Sequence, residues 1–302
     1  MTDETAAAPG LPTTILLATD LSARCDRALD RAGSLAASWG AELTAVHALE
    51  QGADFYANEL THRLPSWRQD DPAMIAQRRL ARDFADRKIA AIVERGTPAE
   101  TVLRLAAEHN AGLIVVGLAR DEALGRFGLG DTVDRLVRRA ALPVLVVKDR
   151  AHGPYGNVLV ATDFSDAALA ALKTAVTFFP AARITLLNAF DTPMAGMAAD
   201  PASYREGLRA AAVSDGNVFL AKAGLDEERR RRIVVHAEAG DPAELVRQYV
   251  QDNPVDLIVF GTHGHSALFD ILIGSTAKAL LSALPCDALV VPDPRMRSAA
   301  KA

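Results

Sequence analysis

Between Gly261 and Leu281 the chain reads GTHGHSALFDILIGSTAKALL. Its glycines have a spacing suited to an anion: two residues separate Gly261 from Gly264, and nine more lead to Gly274-Ser275. A glycine lets a backbone N–H approach an oxyanion with no Cβ in the way. A helix opening at Ser275 and Thr276 would add unpaired N–H groups and the positive end of its dipole. The Ser275 hydroxyl could cap that helix or donate to a phosphate oxygen. A lone G-x2-G is most simply a pair of tight turns. Here it sits between an apolar strand, LIVFG, and a helical stretch, which favours the anion-binding reading. Thr262, His263 and His265 lie in the same loop. Two histidines at i, i+2 with no cysteine nearby make a poor zinc site. Protonated, they could approach a phosphate; the simpler reading leaves them as loop side chains in solvent.

Asp163 is the second candidate. It stands in ATDFS, after an apolar run and before a helical one. Its carboxylate could satisfy backbone N–H groups in that turn, or it could face a ligand. Both roles stay open, because Asp20 has the same setting in ATDLS.

That second copy is one part of a long-period repeat. The two ATD segments are offset by 143 residues. GTPAETV from Gly96 and GDPAELV from Gly240 are offset by 144, as are LIVVG and LIVFG, and VLVV from Val144 and ALVV from Ala288. A constant offset over four features marks two units, each large enough to hold its own core, and excludes short solenoid repeats. The sequence therefore reads as a tail at 1–12, a first domain at 13–148, a Gly- and Pro-containing linker at 149–155, a second domain at 156–292 and a tail at 293–302.

The copies differ where the chemistry should be. The first reads GLARDEALGRFGLGDTVDRLV from Gly117: Gly130 keeps its place, but Arg120 stands for Gly264 and Asp131 for Ser275. A carboxylate suits a helix N-terminus and would repel a phosphate there. Arg120 could pair with Asp131 and fill the space. The first site is expected to bind triphosphate weakly or not at all. The insert from Gln51 to Asp71 has no clear period and could be a lid, a partner surface or a plain loop.

The elements that must position these residues alternate. Short apolar runs (TILLA, ELTAVHAL, AAIVE, LIVVG and VLVV; then NVLVA, ITLLNAF, IVVHAE, LIVFG and ALVV) read as strands buried on both faces. Between them lie helical stretches. Ser165 to Thr177 puts Leu169, Leu172, Ala175 and Val176 on one face; Ser275 to Ala283 does the same with Ala277, Leu280, Leu281 and Leu284. Asp241-Pro242 is an N-cap and first-turn pair. This is an α/β pattern: two tandem domains, each a mostly parallel five-stranded sheet with helices on both faces. Such sheets bind ligands outside the carboxyl ends of their strands, where strand order reverses.

Composition removes several alternatives. Over 302 residues, 33 Lys+Arg stand against 38 Asp+Glu, a net charge of −5, and aromatics are 5%. That balance disfavours a nucleic-acid binder or a base-stacking platform. RRRR at 229–232 follows acidic residues and reads as a solvated helix end. Cys25 and Cys286 are too few for a disulfide framework or a four-cysteine zinc site, and read as small buried hydrophobes. No apolar run is long enough to cross a bilayer and the acidic N-terminus has no signal core, so a cytoplasmic protein is expected.

Together, ATDFS and ATDLS, the GDPAE and GTPAE segments, LIVFG and the G-x2-G-x9-G-[ST] signature at 261–275 resemble the universal stress proteins, over nearly the whole chain and as two fused domains. The resemblance implies an adenine nucleotide alpha hydrolase-like fold, pairing of the two units through their last strands as in a dimer, and ATP (or ADP or AMP) at the intact signature. Gly261, Gly264, Gly274 and Ser275 would then hold phosphates and ribose, Ala161, Thr162 and Asp163 would face the nucleoside, and Ala189 would line the adenine pocket. Further homodimerisation stays open. Three functions follow: a nucleotide-binding stress or signalling protein, a slow ATP hydrolase or transferase, and an interaction module without nucleotide. Hydrolysis would need a positioned metal and a group orienting water. The sequence has no GxxxxGK[ST] run, and nothing selects Asp163 or Asp270 as a Mg2+ ligand.

Overall fold

The computed structural model describes residues 10–22, 25–50, 71–84, 89–118, 120–121, 126–127, 129–193, 195–262 and 274–295. The chain divides into two compact units, Met1–Ala119 with Gly130–Gly153, and Arg120–Leu129 with Pro154–Ala302. The insert at 51–70, with its three readings, lies outside the described residues.

In the first unit, β1 (Thr14–Ala18), β2 (Glu42–Leu49), β3 (Ile89–Arg95), β4 (Leu113–Gly117) and β7 (Val144–Val147) form parallel ladders in the order β7-β4-β1-β2-β3. Helices α1 (Asp26–Trp39), α2 (Pro72–Asp83), α3 (Pro98–Glu108) and α4 (Asp131–Arg139) alternate with them. Two short strands, β5 (Arg120–Asp121) and β6 (Arg126–Phe127), counted with the second unit, pair antiparallel.

The second unit repeats the plan. Strands β8 (Asn157–Thr162), β9 (Arg183–Phe190), β10 (Ile233–Ala239), β11 (Leu257–Gly261) and β12 (Asp287–Val291) lie in the order β10-β9-β8-β11-β12, all parallel. Its helices are α5 (Asp166–Phe178), α6 (Pro201–Lys222), α7 (Glu227–Arg231), α8 (Pro242–Asp252) and α9 (Ser275–Ala283). In both units, therefore, the chain runs outward from its first strand, then returns to lay its fourth strand on that first strand's other side. β8 and β11 flank the point of reversal, and their carboxyl ends open a crevice between them.

The continuous apolar runs mark central strands: Leu159, Val160, Ile258 and Val259 are wholly buried. β3 and β10 are more exposed than a strand covered on both faces, and Val234 of β10 faces solvent. On α5 the buried face is Ala168, Ala171, Leu172, Ala175 and Val176; the expected Leu169 lies at its margin and is only half-buried. Ala277, Leu280, Leu281 and Leu284 are all buried as the period requires. Caps set the helix starts: Ser165 accepts the Ala168 amide at 3.3 Å and Asp241 the Glu244 amide at 2.9 Å, with Pro242 at the first turn. The four arginines at 229–232 each lie against an acid three or four residues back, Asp226, Glu227 or Glu228. Among the described residues no helix is long and apolar enough to cross a membrane.

At the amino end of the second sheet, the Tyr155 hydroxyl donates to Asp287 Oδ2 at 2.5 Å, and its ring meets Phe179 edge-on at 5.2 Å. Asp287 is 1% exposed, so this donor offsets the desolvation of a carboxylate at the head of β12. Tyr155→Phe keeps the ring and removes the donor. It is expected to lower the stability of the second unit by about 1–3 kcal/mol, read as a lower urea midpoint with an unchanged slope.

Candidate functional site

The walls of the site come from the carboxyl ends of strands and the starts of the helices beside them. β8 ends at Thr162, whose Oγ1 accepts the Phe164 amide at 2.9 Å; Asp163 Oδ1 accepts the Ser165 amide at 3.1 Å. These bonds turn the chain sharply enough to hold Phe164 at φ 63°, left-handed backbone that a bulky residue adopts only under constraint. The first unit builds the same turn: Thr19 accepts from Leu21, Asp20 accepts from Ser22, and Leu21 lies at φ 60°. The turn-forming role left open for Asp163 is thus realised in both units, and in the second unit Asp163 also stands on a cavity wall.

That cavity, of about 290 Å³, lies at the reversal point. The strand-one loop contributes Ala161, Thr162 and Asp163, β9 contributes Leu187 and Ala189, and β11 ends on it with Phe260, Gly261 and Thr262. Gly274, Thr276, Ala277 and Leu280 bring the start of α9, while Pro242, Leu245 and Val246 bring the start of α8. Its lining is part apolar, with Leu187, Leu245, Val246 and Leu280, and part polar, with Thr162, Asp163, Thr262 and the start of α9. The α8 residues and Leu187 are not among the sequence candidates. GDPAE and the strand IVVHAE hold the signal for α8, since the loop after the third strand opens at the same sheet end as the others.

Of the sequence candidates, Ala161, Thr162, Asp163, Ala189, Gly261 and Thr262 all line this cavity, with Gly274 and Thr276 opposite. Ser275 is the first helical residue, and Gly274 holds the N-cap position in place of the expected serine. His263, Gly264 and His265 lie outside the described residues, as does Asp270. Among the described residues no group of three His, Cys, Asp or Glu side chains gathers to hold a metal.

The two signature glycines do different things. A Cβ on Gly261 would lie 3.0 Å from the Ala167 carbonyl carbon and Cβ, so this glycine lets α5 press against β11. A Cβ on Gly274 would meet nothing within 4 Å, and its φ of −55° suits any residue. Its absence keeps space clear over amides that no side chain caps. The first turn of α9 carries no acid of its own to offset the positive end of its dipole. Nearby Glu244 is held down to about 2 by hydrogen bonds from Arg247 and then Gln248.

The first unit answers each of these features differently. Asp131 and Asp134 sit in the first turn of α4, supplying their own negative charge to its dipole. Cys25, Leu118 and Val133 stand where the second unit has Ala168, Thr262 and Ala277, a larger side chain in each case. The expected Arg120–Asp131 pair involves a side chain outside the described residues. Cys25 is not a buried hydrophobe: half-exposed, it donates from Sγ to Asp20 Oδ1 at 3.1 Å. Burial first, then the neighbouring carboxylate, push its thiol up to about 11. At Asp20 burial acts upward, but hydrogen bonds from Ser22 outweigh it and hold the carboxyl below its ordinary value.

The sequence model of the universal stress protein family matches residues 12–148 and again 154–292. The chain belongs to the universal stress protein family, as two tandem copies of its domain. A universal stress protein of Mycobacterium bovis is 30% identical over 234 residues, 72% of this chain and 75% of that one. The universal stress protein E homolog of Haemophilus influenzae is 24% identical over 198 residues; the match spans 60% of this chain and 62% of that protein, under two thirds of its length. A universal stress protein structure from Archaeoglobus fulgidus superposes with a TM-score of 0.65 at 18% identity, over 93% of this chain and 98% of the other, and so shares the fold.

Two measurements check this site. Gly261→Ala should destabilise the second unit by about 1–3 kcal/mol through overpacking against Ala167, seen as a lower thermal midpoint. Cys25 should alkylate about a hundredfold more slowly near pH 8 than an unhindered thiol, and accelerate as pH rises towards the raised value, since only the thiolate reacts. Peptide mass spectrometry separates it from buried Cys286.

Proposed function

We propose that the second unit binds an adenine nucleotide, ATP ahead of ADP and AMP, and that occupancy changes how the protein pairs with partners in a stress response. One observation carries the reading. Residues singled out by the glycine spacing (Gly261, Thr262, Gly274 and Thr276) and by the family resemblance (Ala161, Thr162, Asp163 and Ala189), up to 115 residues apart between Ala161 and Thr276, line one cavity at the sheet's reversal point. Its mixed lining suits the two parts of a nucleotide. The side chains of Leu187, Leu245, Val246 and Leu280 offer the apolar surface a purine needs. The uncapped amides at the start of α9, with Gly274 leaving room over them, offer what a phosphate chain needs. Thr162 and Asp163 supply polar groups on the same lining that a ribose could meet. A Mg2+ carried with the phosphates would find the Asp163 carboxylate on the wall.

In the first unit the acids of α4 and the larger side chains at Cys25, Leu118 and Val133 argue against a triphosphate. One competent site per chain is expected.

Titration with labelled ATP should give one saturable site in the micromolar to millimolar range. Bound at a hundred times its Kd, ATP should raise stability by about 2.7 kcal/mol. Gly274→Val, whose backbone angles suit valine, should keep the fold and lose about tenfold or more in affinity as the methyls enter the phosphate space. No saturable binding, or equal binding by the variant, would overturn the reading.

A further inference from the structure

The turn that presents Thr162 and Asp163 needs a donor from outside itself. Thr162 is the last residue of β8, paired in register with Asn188 of β9. Its hydroxyl is committed to the Phe164 amide. Its carbonyl accepts the side-chain Nδ2 of Asn188 at 2.9 Å, and Asn188 is 6% exposed. The first unit places His47 at the corresponding position of β2, with Nδ1 2.9 Å from the carbonyl of Thr19. A carbonyl only accepts, so Nδ1 of His47 carries the proton. Two chemically unlike side chains thus make one contact to one backbone atom, each beside a left-handed residue, Phe164 or Leu21. The contact persists although the first unit has lost the phosphate features. It belongs to the turn rather than to the ligand.

We propose that Asn188 is a positioning residue: its amide grips the Thr162 carbonyl and fixes the strained turn that aims Thr162 and Asp163 into the cavity. Asn188 is neighbour to Ala189, which lines the same cavity, so one short stretch of β9 forms a wall and braces the facing loop. The link to affinity rests on the nucleotide reading above; the link to the turn does not.

The test uses the full chain with two readouts, hydrogen exchange at the Phe164 and Ser165 amides without ligand, and ATP affinity by titration. Asn188→Ala should speed exchange at both amides and weaken ATP, each by about tenfold, as expected for loss of a buried hydrogen bond. Asn188→His, the donor of the first unit, should restore both. His47→Ala should speed exchange at Leu21 and Ser22 and leave ATP affinity unchanged. Should Asn188→Ala fail to fold, Asn188→Leu, closer in volume and still without a donor, is read instead. Unchanged exchange without the donor, or no rescue by histidine, overturns the proposal. If the wild-type chain binds no ATP, the nucleotide reading falls and the exchange rates alone decide the brace.

Discussion

The candidate site depends on how the chain leaves β8. A parallel strand flanked on both sides cannot turn gradually; it must clear its neighbours and enter a helix within a few residues. Here Thr162 and Asp163 do this by taking the next two amides onto their own side chains, while Ser165 caps the helix that follows. Phe164 is thereby forced to positive φ. Strain of that kind costs about 1–3 kcal/mol and persists only where surrounding contacts over-determine it. The contacts are present: the buried Asn188 holds the carbonyl side, and the Phe164 ring lies 5.4 Å from that of Phe219 on α6. The polar wall of the cavity is set by the protein's own contacts.

This arrangement explains what was legible in the sequence. The strands could be read because β1, β4, β8 and β11 are buried on both faces and so carry unbroken apolar runs. The repeat fixed the domain plan, since one sheet topology written twice must place like residues at like ends. Asp163, Gly261 and Gly274 could be found because loop chemistry follows strand ends in an open parallel sheet.

Other parts were not legible, for physical reasons. α6 spans 22 residues but buries only Ala212, Gly216, Phe219 and Leu220 among its described side chains, too sparse a stripe to announce a helix by period. The wall made by Leu245, Val246 and Leu280 looks in sequence like ordinary helical core, and only the sheet order turns those residues towards the crevice. For Gly261 the spacing suggests access for an anion, and the structure adds a second demand invisible in sequence, close packing against Ala167. Asn188 left no sequence signal, because one buried asparagine and one histidine in matching strands share no pattern until both are seen reaching the same carbonyl.

The helix N-termini of the two copies have one further consequence. α9 begins with no acid in its first turn, while α4 begins with Asp131 and Asp134. The positive end of the α4 dipole meets a built-in counter-ion in its own first turn, and that of α9 does not. The counter-charge of α4 is written into the fold itself, whereas α9 opens on a glycine and a serine that bring none.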